Sequence, residues 1–301
     1  MIKAVKKGPI LEITVPKKWA GITLNHLFQD DWHAPKKLVH EWRMSRTAGI
    51  KGRTEGWEAP LSPGDIIQLP LFYSEQPPDF AEFMDIDVLY EDDFVLVLNK
   101  PAGMDTHPSQ PGDKNSLQNA AAFYLMMKGE PILPFHIHRL DKDTTGAILF
   151  AKDRLSAAIL DQQLEKREVK RTYLALVHGL MKKKQGTIKE KIGSDRHHGS
   201  RRRVSASGKD AVTHYEVVKL FPEKNMTLVK CRLDTGRTHQ IRVHLSFIGH
   251  PLAGDVLYGG RPILPRQALH AWNLRFPHPL TEEWIEVHAP VMDGIIPEEQ
   301  N

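Results

Sequence analysis

The sequence has little cysteine and no long apolar run, and both absences narrow its class. Its single cysteine, Cys231, cannot form a disulfide within the chain, which favours a reducing compartment. No stretch is long and apolar enough to predict a membrane-spanning helix. The start, "MIKAVKKGPILEITVPKKW", has no continuous apolar segment and no small-residue cleavage site, so it does not predict a signal peptide. We therefore expect a cytoplasmic protein without membrane contact.

Motifs that bind metals or phosphates are also missing. The sequence contains no Cys-x-x-Cys pair, no His-Glu-x-x-His helix and no glycine-rich phosphate loop. His136 and His138 stand two positions apart, which would place both on one face of a strand, but no further ligand accompanies them. The sequence therefore does not predict a metal site.

The excess of positive charge is small but concentrated. Lys and Arg number 41 against 37 Asp and Glu, which gives a formal net charge of +4. Basic residues cluster in 36–53 and again in 182–209, "KKKQGTIKEKIGSDRHHGSRRRVSASGK". A solvated surface explains any one lysine, but two basic clusters favour a polyanionic partner such as nucleic acid.

Apolar patterning divides the chain into a small and a large domain. We predict a small domain over 1–75, a linker over 76–84, a large domain over 85–292 and a tail over 293–301. Helix and strand patterns do not alternate regularly in the large domain. We therefore predict an α+β fold with a mostly antiparallel or mixed central sheet.

Local signals predict the elements that carry the polar motifs. Ser116 and Gly129 are typical of the start and end of a helix. A second helix is predicted over 238–248, with Thr238 as its cap. The segments "HIHRLD" and "AILFAK" are predicted as strands joined by the turn "KDTTG", so Asp141 would end a strand.

Three side chains are candidates for chemistry from their positions alone. Asp141 can serve as a nucleophile, a general base or a metal ligand, or it can simply cap the turn that follows. Arg242 flanks an apolar stripe, so it either pairs with a carboxylate such as Asp141 or extends into solvent. Tyr173, on an alternating strand, is either core packing or a ring that stacks on a base.

Several segments resemble the motifs of one family, the RluA/RluD-type RNA pseudouridine synthases. The segment "HRLDKDTTGAILFAK" is similar to the family's catalytic motif, and "NKPAGMDTHP" is similar to its first motif. The strand "KRTYLALVHG" resembles the family's tyrosine strand, and "TGRTHQIRVHLSFIGHPLAGDVLYGG" resembles its third motif and the turn after it. The segment "LHAWNLRFPHP" resembles the closing segment. These segments follow the expected order across 85–292, which makes the resemblance specific.

The resemblance implies a role for each matching residue. Asp141 would be the catalytic aspartate, Tyr173 the active-site tyrosine and Arg242 the ion-pair partner of Asp141. Arg139 would stabilise the flipped-out base, and Ile241 would pack against it. The other implied substrate-binding residues are His138 (with a structural role as its alternative), Thr145, Gly146, Arg237, His239 and Gln240.

The implied reaction converts specific uridines of structured RNA into pseudouridine. The uridine would flip out of its stack, and Asp141 would start cleavage of the glycosidic bond, either as nucleophile at the anomeric carbon or as base at the neighbouring carbon. The base would then rejoin the ribose through carbon-5, which requires no cofactor. We expect ribosomal RNA rather than transfer RNA as the substrate, and a monomer.

The N-terminal segment resembles the alpha-L-type RNA-binding module that precedes the catalytic domain in many family members. It departs from that module at 48–53, where "AGIKGR" stands in place of the usual Val-Asn-Gly. The 182–209 cluster is predicted to form a mobile basic hairpin over the RNA, with a solvated loop as the alternative. The residues predicted to contact RNA phosphates are Lys36, Lys37, Arg43, Arg46, Lys51, Arg53, Arg201, Arg202 and Arg203.

Two other functions remain open at this point. A non-catalytic RNA-binding factor of ribosome assembly could have the same fold, although the joint presence of Asp141, Tyr173 and Arg242 favours an enzyme. A metal-free hydrolase of a glycosidic bond would need a second carboxylate, for which Asp143 is the nearest in sequence. Release of free uracil would distinguish the hydrolase from the isomerase.

Overall fold

The structure is a computed structural model that describes residues 2–53, 56–72, 81–110 and 112–297. Residues 76–80 of the predicted linker and 298–301 of the predicted tail lie outside the described residues. The described helices include none that is long and apolar enough to cross a membrane.

The N-terminal part is a four-stranded antiparallel sheet, ordered β1-β2-β4-β3, with helices packed against it. Its elements are β1 (Lys3–Lys7), β2 (Ile10–Thr14), a 3₁₀ turn (Lys17–Trp19), α1 (Leu24–His26) continuing as a π-helix (Leu27–Asp31), α2 (Lys36–Ser45), β3 (Gly49–Ile50) and β4 (Ile66–Pro70). Phe28 lies at the centre of an aromatic cluster, with its ring centroid 5.3 Å from that of Trp42 and 5.0 Å from that of Trp57. These rings pack with buried aliphatic side chains, such as Leu11, Ile13 and Leu27, in the core of the N-terminal part.

The larger part is built on a ten-stranded mixed sheet. Its elements, together with a separate hairpin, are β5 (Asp87–Glu91), β6 (Val95–Lys100), α3 (Leu117–Met127), β7 (Phe135–His136), β8 (Thr145–Ala151), α4 (Arg154–Glu165), β9 (Lys170–His178), β10 (Gln185–Lys189), β11 (Ile192–Ser194), β12 (Arg202–Val204), β13 (Val212–Phe221), a 3₁₀ turn (Pro222–Lys224), β14 (Met226–Leu233), α5 (Gln240–Phe247), a 3₁₀ turn (Val256–Tyr258), β15 (Leu269–Pro277) and β16 (Trp284–His288).

The order of the large sheet confirms the predicted α+β class and mixed pairing. Strands follow the path β10-β13-β14-β9-β15-β8-β6-β5, with β16 on β15 and β7 on β8, while β11 and β12 form the separate hairpin. Only a short stretch of β15 runs parallel to β8, at His270–Thr145 and Ala271–Gly146. A Cβ on Gly146 would lie 2.3 Å from the carbonyl oxygen of Ala271, so this close approach requires glycine.

Helix α3 forms where its local signals predict it. Ser116 accepts a hydrogen bond from the backbone of Asn119, whose side chain in turn accepts from the backbone of Ser116, which completes a capping box. Gly129, with φ of 80°, follows the helix and ends it.

The predicted helix 238–248 begins later than expected, at Gln240. Thr238 does not cap it. His239 occupies the cap position in the left-handed region, with φ of 58°, and it makes no side-chain cap hydrogen bond. The Gln240 side chain closes the preceding turn instead, because its Oε1 accepts from the Arg237 N–H at 3.0 Å.

The predicted strand "HIHRLD" is also shorter than expected. Only Phe135 and His136 pair with β8, and 137–144 form a loop. Leu140 is held by Thr106, whose hydroxyl accepts from its N–H and donates to its carbonyl, both at 3.1 Å. Asp141 therefore lies on a buttressed loop and does not end a strand. His136 and His138 do not share a strand face either, since His138 lies in that loop.

The two parts of the chain share one apolar core. The Phe72 ring, after β4, lies 5.6 Å from the Phe94 ring, before β6. At the surface Lys6 forms an ion pair with Asp93 at 2.9 Å, and Arg154 forms one with Glu41 at 3.5 Å. The small sheet is thus packed directly against the large domain.

Candidate active site

A cleft of about 650 Å³ opens between the loop 137–144, strand β9 and the start of α5. Asp141, Tyr173 and Arg242 all line it, although they come from different elements. Sequence analysis predicted these three as the catalytic residues, and the fold brings them together.

Asp141 and Arg242 form a direct ion pair. Nη1 of Arg242 donates to Oδ2 of Asp141 at 3.0 Å. The Arg242 side chain is 8% exposed, whereas that of Asp141 is 21% exposed to the cleft. The arginine is therefore fixed within the protein, and the carboxylate remains open to a ligand.

Asp255 is a further member of this site that sequence analysis did not identify. Its two carboxylate oxygens accept from Nε and Nη2 of Arg242, at 2.8 and 2.9 Å, and its side chain is buried. Burial alone would lower the pKa of Arg242, but the hydrogen bonds and charges of Asp255 and Asp141 raise it overall. Asp255 lies within the third-motif resemblance, in "LAGD", yet its pairing across the turn is not visible in one sequence.

His239 lies beside the ion pair of Asp141 and Arg242. Its Nε2 is 3.8 Å from Oδ2 of Asp141, and its Nδ1 is 2.7 Å from the hydroxyl of Tyr258. Burial lowers the pKa of His239, and the charge of Asp141 opposes this shift only in part. A neutral imidazole at neutral pH follows, with one ring nitrogen as donor and the other as acceptor.

Tyr173 and Ile241 form an apolar wall of the cleft. Tyr173 is 4% exposed and Ile241 3% exposed, so both are held by packing. Burial raises the pKa of Tyr173, so its hydroxyl is protonated at neutral pH. A rigid ring with a neutral hydroxyl is suited to stacking on a planar base.

Lys100 supports the loop that carries Asp141, and sequence analysis did not single it out. It is fully buried, and its Nζ donates to the carbonyls of Pro101, Met104 and Lys142 at 2.8, 2.6 and 2.7 Å. Burial lowers the pKa of Lys100 to about 7, against the opposing charge of Asp143. The contact with Lys142 ties this lysine to the residue directly after Asp141.

The other predicted substrate-binding residues divide into two groups. Arg139, His138, Arg237, His239 and Gln240 line the cleft with Ile241, and Arg139 and Arg237 are exposed at its edge. His138 is buried, and its Nε2 accepts from the Leu149 N–H at 3.3 Å.

Gln240 lines the cleft but is occupied by the protein. Its amide nitrogen donates to Val212 and Thr213, at 3.0 and 3.1 Å, and its oxygen accepts from Thr235 and Arg237. Thr145 and Gly146 do not line the cleft. The Thr145 hydroxyl bonds to Nδ1 of His270 at 2.7 Å, so it joins β8 to β15.

The predicted phosphate contacts in the N-terminal part differ in availability. Lys51 pairs with Glu12 at 2.8 Å, and Arg53 pairs with Asp65 at 2.8 Å. Arg43 stacks over Trp57 at 5.0 Å. Like Arg43, the residues Lys36, Lys37 and Arg46 are exposed and form no ion pair among the described residues.

Part of the second basic cluster forms a hairpin, in β11 and β12, whereas 185–189 form β10 of the large sheet. Arg201 lies 3.8 Å from Asp195, and Nη1 of Arg202 donates to the Ser194 hydroxyl at 2.6 Å. Arg203 is exposed. The described residues contain no group of three or more His, Cys, Asp or Glu side chains that could hold a metal ion.

The sequence matches known families over both parts of the chain. A model of the RNA pseudouridylate synthase family matches residues 94–247, which include Asp141, Tyr173 and Arg242. The chain belongs to the RNA pseudouridylate synthase family. A model of the N-terminal domain of the RluD ribosomal pseudouridine synthase matches residues 11–67. The expected family resemblance is thereby confirmed, and the protein is an isomerase that acts on RNA.

Individual relatives agree with this assignment. The chain is 43% identical over 286 residues to the uncharacterized RNA pseudouridine synthase YhcT of Bacillus subtilis, covering 95% of each chain. It is 36% identical to the ribosomal large subunit pseudouridine synthase D of Nitrosomonas europaea, covering 95% of this chain and 86% of that one. The solved structure of human RNA pseudouridylate synthase domain containing 1 aligns with a TM-score of 0.58 and 28% identity, over 72% of this chain and 86% of that chain.

Proposed function

We propose that this family member isomerises specific uridines of large-subunit ribosomal RNA, with Asp141 as the catalytic residue. The observation that carries the proposal is the position of Asp141, which is exposed to the cleft while Arg242 binds its Oδ2 at 3.0 Å. The relatives named ribosomal large subunit pseudouridine synthase D, from Nitrosomonas europaea and Vibrio cholerae, support ribosomal RNA as the substrate class.

The cleft is suited to one flipped nucleotide. Its volume of about 650 Å³ accommodates a base and its ribose. Arg139 is exposed at the edge of the cleft. It can bind a phosphate of the RNA or fill the gap that the flipped base leaves in the stack. Tyr173 and Ile241, in the apolar wall of the cleft, offer a surface on which the base can pack. The base is thereby drawn from its stack into a site that limits access of water.

The reaction begins at the ribose. Asp141 acts either as nucleophile at the anomeric carbon or as base at the neighbouring carbon, and the bond from that anomeric carbon to uracil nitrogen-1 breaks. The uracil turns, carbon-5 bonds to the anomeric carbon, carbon-5 loses its proton and nitrogen-1 gains one. Atoms and electrons balance within the substrate, so no oxidant or cofactor enters.

Tyr173 serves first as a stacking surface. Burial raises its pKa, so the hydroxyl carries its proton at neutral pH. It can accept the carbon-5 proton only when it passes its own proton to another group. The stacking role requires no such transfer, and we therefore assign it to the ring.

Nucleotide-resolution mapping of pseudouridine in stable RNA tests this proposal. The strain lacks the gene and carries the wild type, Asp141→Asn or Asp161→Asn, an exposed aspartate of α4, as the matched control. We expect a large-subunit site that the wild type and Asp161→Asn restore and Asp141→Asn does not. Full restoration by Asp141→Asn would show that another residue is catalytic.

The same experiment addresses the remaining alternatives. A site in transfer RNA would contradict the proposed substrate. If no site depends on the gene while ribosome assembly is impaired, the non-catalytic assembly factor is the better description. Release of free uracil from RNA would indicate a hydrolase. We also propose a monomer that works in the cytoplasm, where ribosomes are made, and sedimentation of the purified chain tests its mass.

A further inference from the structure

Tyr258 joins the basic hairpin, residues 192–204, to helix α5. It is 4% exposed, and it packs in a small apolar cluster that includes residues from the hairpin and from the helix. The other members of the cluster are Ile192, Val204, Ala211, Val243 and Leu257. The ring of Tyr258 is therefore the surface on which the hairpin is seated.

The hydroxyl of Tyr258 connects the hairpin backbone to His239. It accepts from the N–H of Arg202 at 2.9 Å, and it lies 2.7 Å from Nδ1 of His239. With the Arg202 N–H on one lone pair of the oxygen, the hydroxyl can direct its own hydrogen at Nδ1, and we adopt this arrangement for the proposal. The proton of the neutral imidazole then lies on Nε2, the nitrogen that faces Asp141 at 3.8 Å.

The ring of Tyr258 also contacts arginines of both regions. The guanidinium of Arg242 lies over it at 5.0 Å from the centroid, and that of Arg201 lies at 5.8 Å. Arg242 is the ion-pair partner of Asp141, and Arg201 belongs to the predicted RNA-contacting set. One side chain thus contacts the RNA-facing hairpin and both groups that flank the carboxylate.

We propose that Tyr258 is a positioning residue that couples the seating of the basic hairpin to the arrangement of His239 and Arg242 around Asp141. The proposal rests on the proposed role of Asp141. When RNA phosphates hold the hairpin arginines, the Arg202 N–H stays on the Tyr258 hydroxyl, and the imidazole keeps its Nε2–H toward Asp141. When the hairpin moves away, the Tyr258 hydroxyl can rotate. The imidazole tautomer is then no longer fixed, and the Tyr258 ring no longer holds the Arg242 guanidinium in place.

The variant Tyr258→Phe isolates the hydroxyl, because the ring and its packing are kept. The assay is single-turnover release of tritium from a large-subunit rRNA transcript labelled at carbon-5 of uridine, with RNA affinity measured by filter binding. We expect the rate to fall about tenfold, the effect of losing one to two hydrogen bonds, while affinity stays within about twofold. Tyr124→Phe is the matched control. Tyr124 lies in α3, outside the cleft, and its hydroxyl donates to Glu91 at 2.8 Å.

A double-mutant cycle tests whether the Tyr258 hydroxyl acts on Asp141 through His239. If the hydroxyl acts through the imidazole, Tyr258→Phe and His239→Ala each slow the reaction, and the double variant is no slower than the slower single variant. Fully additive effects would overturn this route. His239→Ala also provides an independent variant in case Tyr258→Phe unfolds, and thermal unfolding of each variant is measured alongside.

Two further outcomes are decisive. A normal rate with weakened RNA binding in Tyr258→Phe would mean that Tyr258 merely anchors the hairpin, which overturns the proposal. Asp141→Asn is assayed in parallel on the same transcript. If Asp141→Asn retains the wild-type rate, the proposed function fails, and that failure is distinct from a failure of Tyr258 alone.

Discussion

Asp255 binds the guanidinium of Arg242 with both of its carboxylate oxygens, at 2.8 and 2.9 Å. Nη1 of the same arginine donates to Asp141, at 3.0 Å. The Asp141 carboxylate thus receives one hydrogen bond and a compensating charge without being enclosed. An arginine that gave both of its forked donors to Asp141 would compete with the substrate for the same oxygens.

Replacing Asp255 should therefore impair both folding and catalysis. In Asp255→Asn the buried guanidinium loses its bidentate carboxylate and keeps only the charge of Asp141, which destabilises the fold by about 1–3 kcal/mol. The released arginine can also turn toward Asp141, so the rate should fall even in molecules that remain folded. Urea unfolding measures the first effect, and single-turnover kinetics below the transition measure the second.

Glu282→Gln is the matched control for this experiment. It removes an ion pair with Lys18 that is about half exposed, and such surface pairs contribute about 0–1 kcal/mol. Equal loss of stability in Asp255→Asn and Glu282→Gln would contradict the structural role assigned to Asp255.

Two substitutions of Tyr173 can distinguish a stacking role of its ring from a proton-transfer role of its hydroxyl. If the ring acts by stacking, Tyr173→Phe should retain more activity than Tyr173→Leu, because stacking on a base contributes about 1–3 kcal/mol and leucine lacks the planar face. Single-turnover rates on the same transcript compare the two variants. Equal and severe losses in both would show that the hydroxyl takes part in moving the carbon-5 proton.

Local signals in the sequence predicted the elements that depend on near neighbours. The capping box at Ser116 and the glycine at 129 define α3 from residues a few positions apart. The predicted cap of α5 was wrong, because Gln240 closes the turn by accepting from the Arg237 N–H, and its amide nitrogen is held by Val212 and Thr213, more than twenty positions away. The strand expected to end at Asp141 failed for a similar reason, since the loop is held by Thr106.

The candidate site was predictable to the extent that family motifs carry it. Asp141, Tyr173 and Arg242 lie in three separate motifs, and their meeting in one cleft follows from the resemblance. Asp255 and Tyr258 lie inside a matching motif, but their contacts span the turn between α5 and the next 3₁₀ turn. Such pairings depend on three-dimensional packing, which spacing in a single sequence does not specify.

The N-terminal basic residues should differ in their effect on RNA binding. Lys36 and Lys37 are exposed at the start of α2, whereas Lys51 is paired with Glu12. Each phosphate contact contributes about 0.7–0.9 to the slope of log affinity against log salt. Replacing both Lys36 and Lys37 by Gln should lower the slope by up to about two, and Lys51→Gln should leave it unchanged.

Filter binding of the large-subunit transcript across a salt series measures these slopes. An unchanged slope in the Lys36 and Lys37 variant would remove α2 from the RNA interface. A reduced slope in Lys51→Gln would show that RNA displaces Glu12 from its lysine.

Cys231 should report global unfolding. It is fully buried in β14, and burial raises its pKa to about 12, so the reactive thiolate is almost absent at pH 8 in the folded protein. Unfolding returns the thiol to its ordinary, lower pKa, so reactivity increases with exposure and with ionisation together. Iodoacetamide labelling followed by mass spectrometry should detect modification in urea but not in buffer. Rapid labelling of the native protein would contradict the burial of β14.

The shared core between the small sheet and the large domain has a geometric consequence. Because Phe72 packs on Phe94 and Lys6 pairs with Asp93, α2 is held at a set span from the cleft. An RNA that touches both surfaces must present its helical backbone and its target uridine at that same span. A uridine would then be selected by its distance from a second contact on the folded RNA as well as by the nucleotide sequence around it.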